Sequence, residues 1–174
     1  MKTQLFVPAA LLAVFLFAAA CRGGAGANGA GIAGDGRPDR DPFIDLVLDD
    51  AHGRSIPLAD HGGKVRVIDV WATWCLPCRE IIPHLNDLHE RYRDDGVVVI
   101  GIAVDSAPAD VVEFQREVPM RYLSGMFSPR VEALLGQPNA VPTTYLIDRS
   151  GALRRTFLGI VDIETLEKEI RNLL

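Results

Sequence analysis

The stretch from Val65 to Tyr92 constrains the fold more than any other part of the sequence. It begins with a dense run of β-branched and apolar residues at 65–71, which predicts a strand covered on both faces. Apolar residues then recur at helical spacing, at Ile81, Ile82, Leu85, Leu88 and Tyr92. A buried strand therefore leads almost directly into an amphipathic helix, and the pair Cys75 and Cys78 lies at the junction.

The rest of the pattern alternates strands and helices around this unit. A second continuous apolar run at 97–104 predicts a strand parallel to the first, with the helix as a right-handed crossover. The other predicted elements are an N-terminal hairpin at 43–48 and 56–58, helices at 111–115 and 131–135, a second hairpin at 143–158 and a closing helix at 163–173. This order predicts an α/β domain with a central mixed β-sheet flanked by helices and an N-terminal β-hairpin extension.

The first 21 residues predict an export signal. Lys2 precedes an almost unbroken apolar run at 5–20, which ends in small residues. This run is shorter than the ~20 residues that span a bilayer comfortably, so a permanent transmembrane helix is the weaker interpretation. The end of the run resembles a bacterial lipoprotein box with Cys21 as the lipidated residue, although Ala18 stands where a leucine is usual. We predict lipidation of Cys21, with simple cleavage of the leader as the alternative.

The segment that follows is poor in residues that could build a core. Residues 22–42 are mostly Gly, Ala, Asp and Arg, which predicts a flexible linker. Residues 43–174 are long enough for one folded domain, which we expect to be a monomer. A lipid on Cys21 would hold this domain at a membrane, facing the periplasm or another extracytoplasmic space.

The charge of the chain excludes one class of partner. The formal net charge is −5, and the sequence contains no stripe of clustered Lys and Arg. Proteins that bind through phosphate groups need such a stripe. We therefore expect no nucleic-acid partner.

The two cysteines of the central motif are compatible with several chemistries. A zinc site would need further Cys or His ligands at suitable spacing, and the sequence has no second cysteine pair. A permanent bridge would gain little from closing so short a loop. A thiol peroxidase would need a cysteine preceded by Thr or Ser in a different loop, and none is present. A copper(I)-binding metallochaperone module that uses the pair, with Met120 and Met126 as further ligands, stays an alternative.

Thiol exchange makes use of the position of the pair as well as its spacing. Cys75 would lie at the N-terminus of a helix, where free amides and the helix dipole favour a thiolate. Cys75 is then the nucleophile, and Cys78, one turn further, resolves the mixed disulfide. Pro77 suits the first turn of the helix. No glycine-rich turn for a flavin or nicotinamide follows a strand, so we expect no cofactor or metal beyond the dithiol itself.

The sequence resembles the TlpA/ResA-like family of membrane-tethered thiol:disulfide oxidoreductases, which have a redoxin (AhpC/TSA-like) domain in the thioredoxin superfamily. The resemblance rests on residues 70–78, Pro83, 141–148 and Gly151. It implies a thioredoxin-like fold, a cis-proline at Pro142 and a buried acid, Asp69, that takes the proton of the resolving cysteine. The residues expected to contact substrate are Trp74, Leu76, Pro77, Val141 and Thr143.

The same resemblance implies a reductase of disulfides in exported client proteins. Apocytochrome c and copper-site proteins are the implied clients, and a membrane thiol-electron carrier is the implied donor. The chain departs from many haem-maturation members at Ile81, where those members have a glutamate. Glu80 lies one position earlier and on a different helix face, and we expect it to be an acid of the first helical turn. The motif leaves the direction of electron flow open.

Overall fold

The computed structural model describes residues 40–105 and 107–174. The predicted signal segment, the lipidation site Cys21 and almost all of the predicted linker lie outside the described residues. Within the described ranges, the helices are all too short or too polar to cross a membrane.

The described chain forms an α/β domain with a central five-stranded sheet and a two-stranded N-terminal hairpin. The strands are β1 Val47–Asp49, β2 Ser55–Pro57, β3 Val65–Trp71, β4 Val97–Ala103, β5 Leu123–Met126, β6 Thr143–Ile147 and β7 Leu153–Leu158. The helices are α1 Leu76–Tyr92, α2 Pro108–Glu117, α3 Pro129–Leu135 and α4 Ile163–Arg171. The order in the central sheet is β5-β4-β3-β6-β7, with β4 parallel and β6 antiparallel to β3. The predicted mixed sheet and hairpin extension are confirmed.

Among the strands, β5 is the one that the sequence did not predict. Its four residues include a glycine and no β-branched side chain, so they carry no strand signal. The strand forms at the edge of the sheet, where it pairs in parallel with β4. Gly125 suits this place because a Cβ there would lie 2.8 Å from the Cβ of Leu48 in the hairpin. This segment therefore becomes a strand because of its tertiary contacts and not because of its local strand propensity.

The central strand β3 separates two layers of the core, and every one of its residues is buried. Val65 and Val67 pack in the layer that contains α1 and α4. Ile68 and Val70 pack in the opposite layer, which contains α3 and the N-terminal segment. This alternation confirms a strand covered on both faces.

The N-terminal segment covers a buried arginine on β3. The side chain of Arg66 is fully buried, and its Nη2 lies 2.6 Å from Oδ2 of Asp41. The same guanidinium lies 5.2 Å from the ring centroid of Phe43. Asp41, which the sequence analysis assigned to the linker, thus packs against the domain. The first predicted strand is shorter than expected, because residues 42–45 form a turn before β1.

Candidate active site

The cysteine pair lies at the N-terminus of α1. Cys75 is the N-cap residue of the helix, and its Sγ accepts a hydrogen bond from the amide of Cys78 at 3.2 Å. The two sulfurs are joined in a disulfide, with the Cα atoms 5.3 Å apart. Pro77 lies in the first turn, where its missing N–H leaves no helical bond unmade. The helix starts at Leu76, so both the amides and the dipole of α1 point at the sulfur of Cys75.

The two cysteines differ in how far a partner can reach them. Cys75 is 4 % exposed and Cys78 is fully buried, so a partner disulfide can approach only the first sulfur. Trp74 and Leu76 flank Cys75 and are 72 % and 70 % exposed. Two large apolar side chains on either side of a reactive sulfur make a surface suited to contact with another chain.

An acid that the sequence analysis missed holds the loop before the pair. Asp105 follows β4, and its carboxylate accepts hydrogen bonds from the amide of Thr73 at 3.0 Å and from its hydroxyl at 2.6 Å. Because β3 and β4 are parallel neighbours, the residues that follow them meet at one edge of the sheet. The sequence does show an acid just after a predicted parallel strand, which is a signal for a residue at this edge of the sheet. That Asp105 bonds to Thr73 is evident only from the fold.

Pro142 begins a second loop beside the pair. The peptide bond between Val141 and Pro142 is cis, as the resemblance implied. Val141 packs against the cluster that contains both cysteines. The side chain of Thr143 is buried and its hydroxyl donates to the carbonyl of Ala140 at 2.7 Å, so this side chain supports the loop and does not face outwards.

Asp69 is a fully buried carboxylate on β3. Its Oδ1 accepts a hydrogen bond from the hydroxyl of Thr144 at 3.2 Å, whereas its Oδ2 has no partner among the described residues. Burial raises the pKa of Asp69 to about 7, against the smaller lowering effect of the bond from Thr144. A carboxyl with this pKa can accept a thiol proton near neutral pH.

Two more buried polar atoms lie on the same side of the sheet as Asp69. The Nε1 of Trp71 and the hydroxyl of Tyr122 both lack a hydrogen-bond partner in the described part of the chain. Gly101 pairs with Asp69 in register, and a Cβ at Gly101 would lie 3.0 Å from the indole nitrogen and 3.2 Å from the Tyr122 ring. Burial, and after it the charge of Asp69, raises the pKa of Tyr122 well above its usual range. Tyr122 is therefore a neighbour of Asp69. Sequence reasoning predicted Asp69 but missed Tyr122.

The two methionines considered for copper both pack near the cysteine pair. Met126 packs against the cluster that contains both cysteines. Met120 also packs there, and its sulfur accepts a hydrogen bond from the side-chain amide of Gln115 at 3.6 Å. Across residues 40–105 and 107–174, no three His, Cys, Asp or Glu side chains come together as metal ligands.

The helix start corrects one expectation about Glu80. We expected an acid in the first turn, but α1 starts at Leu76, so Glu80 belongs to the second turn, and the first turn has no acid. Glu80 is exposed, whereas Ile81 is buried in the core layer beneath the helix. Neither residue presents a carboxylate to the buried cysteine.

Comparison with known proteins gives consistent matches. The model of the AhpC/TSA family matches residues 40–156. The thiol-disulfide oxidoreductase ResA of Geobacillus kaustophilus is 28 % identical over 131 residues, which are 74 % of each chain.

Solved structures match over most of the chain. The crystal structure of a putative thiol:disulfide interchange protein DsbE from Chlorobium tepidum has a TM-score of 0.69 and 30 % identity, covering 78 % of this chain and 95 % of that one. An exposed lipoprotein thioredoxin, Etrx1 of Streptococcus pneumoniae, has a TM-score of 0.64 and 22 % identity, covering 74 % and 99 %. The predicted thioredoxin-like fold is confirmed.

Proposed function

The chain belongs to the AhpC/TSA family and is a thiol-disulfide oxidoreductase with its redox pair at Cys75 and Cys78, and from that premise we propose that it reduces disulfides in exported client proteins. The observation that carries the proposal is the asymmetry of the pair. The sulfur of Cys75 lies at a helix N-terminus and accepts the amide of Cys78, while Cys78 is sealed from solvent. One sulfur is thus suited to attack, and the other to resolution.

The proposed reaction moves two electrons from the dithiol to the client. The Cys75 thiolate attacks a client disulfide, forms a mixed disulfide and releases the first client sulfur as a thiolate. Cys78 then gives its proton to Asp69 and attacks the Sγ of Cys75, which releases the second client sulfur. The client gains two thiols, and the pair becomes the disulfide seen in the structure. A membrane thiol-electron carrier would reduce the pair again.

The surroundings of Cys75 favour the reducing direction. A strong oxidant depends on a strongly stabilised thiolate in its reduced form. Here the sulfur accepts one amide, and the intervening Leu76 and Pro77 add no charge and no side-chain donor. A pair with no charged donor between its cysteines supports a reductase.

Two loops form the proposed client-binding surface. Trp74, Leu76 and Pro77 contribute apolar contact around the sulfur. No hydrogen bond within the described ranges involves the main chain of Val141, so an extended client segment can pair with it as an added strand. Pro142 and Thr143 hold that loop beside the pair.

The proposed location follows from the sequence. Residues 1–21 have the pattern of an export signal, and a lipid on Cys21 would attach the domain to the outer face of a membrane through residues 22–42. The pneumococcal protein with the same fold is an exposed lipoprotein, which supports this arrangement. Apocytochrome c and copper-site proteins are the proposed clients, although Ile81 argues against a strict haem-maturation role.

The direction of electron flow can be tested by redox titration against glutathione. A potential of about −200 mV or lower supports a reductase, whereas one near −120 mV contradicts it. Clients can be identified with Cys78→Ser, which we expect to accumulate mixed disulfides on Cys75. The matched control is the double variant Cys75→Ser, Cys78→Ser, which leaves residues 43–174 without a thiol and should trap nothing there.

A further inference from the structure

A pocket of about 480 Å³ opens beside the redox pair. Trp74 and Val141 line it, and these residues directly precede Cys75 and Pro142 in the sequence. Val104 and Phe127 add further apolar surface. The pocket is therefore continuous with the surface to which a client would bind.

Glu132 is the only charged residue that lines this pocket. It lies on α3, it is half-buried, and its carboxylate makes no ion pair or hydrogen bond with the described residues. The other two half-buried glutamates of the described residues have cationic partners, because Glu167 pairs with Arg91 and Arg171 and Glu169 pairs with Arg155. A carboxylate that faces this pocket without a cationic partner complements the charge of an arginine or lysine side chain.

We propose that this pocket binds an arginine or lysine side chain of the client, close in sequence to the client cysteine. This inference rests on the proposed function and specifies its substrate class. The aliphatic stem would pack on Val104 and Val141, and the cationic head would pair with Glu132. The exposed ring of Trp74 adds a face on which a guanidinium stacks, which favours arginine.

The geometry of an added strand supports this occupant. A client segment paired with the free main chain of Val141 turns alternate side chains towards the same side. The client cysteine would reach Cys75, and a side chain near it in the segment would reach the pocket. A neutral aliphatic or aromatic side chain is the competing occupant. Peptides that differ only in the charge of this side chain distinguish it from a cation.

The first measurement is binding, with no chemistry involved. The probes are peptides in which serine replaces the client cysteine and the neighbouring residue is arginine, leucine or glutamate. Calorimetry with the disulfide form of the full chain should give about threefold to fivefold tighter binding for the arginine peptide than for the leucine peptide. Glu132→Gln should remove this preference, and Glu132→Lys should favour the glutamate peptide.

The matched control is Glu164→Gln, which removes an exposed acid from α4 on the opposite side of the sheet. It should leave the arginine preference intact. Equal binding of the arginine and leucine peptides to the unmodified chain would overturn the proposal, as would equal losses in the two glutamine variants.

The rate at which the chain reduces hydroxyethyl disulfide, a small neutral disulfide, tests the proposed function independently of the pocket. The unmodified chain should reduce hydroxyethyl disulfide whether or not the pocket binds a cation, because this substrate has no side chain for the pocket. A chain that binds the arginine peptide selectively but reduces no disulfide would contradict the proposed function and leave the pocket assignment standing.

Discussion

The hydroxyl of Thr144 donates to Oδ1 of Asp69 at 3.2 Å, across the antiparallel pair of β3 and β6. It is the one hydrogen bond that this carboxylate receives within the described ranges. The protonation state of Asp69 therefore depends on two opposed influences, because burial raises its pKa and Thr144 lowers it. This balance can be altered by single substitutions.

Thr144→Val should raise the pKa of Asp69 above about 7, because the substitution removes the donor that stabilises the charged form. If the ionised carboxylate accepts the proton of Cys78, the resolution rate of the mixed disulfide should rise with pH. The midpoint of that rise should move upward in the variant. The measurement is the rate of resolution by rapid quench over a pH series. Thr156→Val, on the exposed face of β7, is the control and should leave the midpoint unchanged.

A second prediction concerns the free energy of unfolding of the disulfide form. Burial raises the pKa of Asp69 from an ordinary value of 3.8 to about 7, so between these pH values the folded chain holds a proton that the unfolded chain releases. The contribution of Asp69 to stability should fall by roughly 4 kcal/mol as the pH rises through this window. Asparagine does not titrate, so the stability of Asp69→Asn should not fall in this way. The free energy of unfolding of the variant, relative to that of the unmodified chain, should therefore increase with pH.

Urea unfolding of both chains over a pH series tests this, since the difference between them cancels the other titrating groups. Asp94→Asn, at an exposed acid, serves as the control for the removal of one carboxylate from the chain. A difference that stays constant with pH for Asp69→Asn would show that folding leaves the pKa of Asp69 unchanged.

A third prediction concerns where the folded domain begins. The sequence placed the boundary between residues 42 and 43, but the buried Arg66 takes its carboxylate partner from Asp41. A chain starting at Phe43 leaves that guanidinium buried and unpaired, which should cost about 3–5 kcal/mol relative to a chain starting at Arg40. Urea denaturation of the two chains measures the difference. Asp41→Asn in the longer chain should lose much of the same stability, which separates the ion pair from chain length.

The sequence predicted those parts of the fold whose signal is local. The unit of β3, α1 and β4 follows from two long apolar runs and a helical repeat, and the redox pair stands between them. The strand β5 escaped prediction because its pairing with β4 is the main reason that it forms.

The site divides in the same way. Cys75 and Cys78 were recognisable from spacing and position. The surroundings of Asp105, Glu132 and Tyr122 are formed by segments that are distant in sequence, and sequence periodicity does not report such proximity. Asp69 is an intermediate case. The family resemblance predicted a buried acid at this position, but only the structure shows that one of its oxygens has no partner among the described residues.

The last prediction concerns Tyr122, whose buried hydroxyl has no partner among the described residues. Burying a hydroxyl without a hydrogen bond costs free energy, so its removal with the ring kept in place should not destabilise the fold. We expect Tyr122→Phe to be as stable as the unmodified chain or more stable by up to about 1 kcal/mol in urea unfolding. A loss of more than about 1 kcal/mol would mean that the hydroxyl makes a bond in solution, and Asp69 is a candidate acceptor because its charge acts on Tyr122. Tyr92→Phe offers the contrast, because that hydroxyl donates to Glu167 at 2.6 Å, and its removal should destabilise the fold.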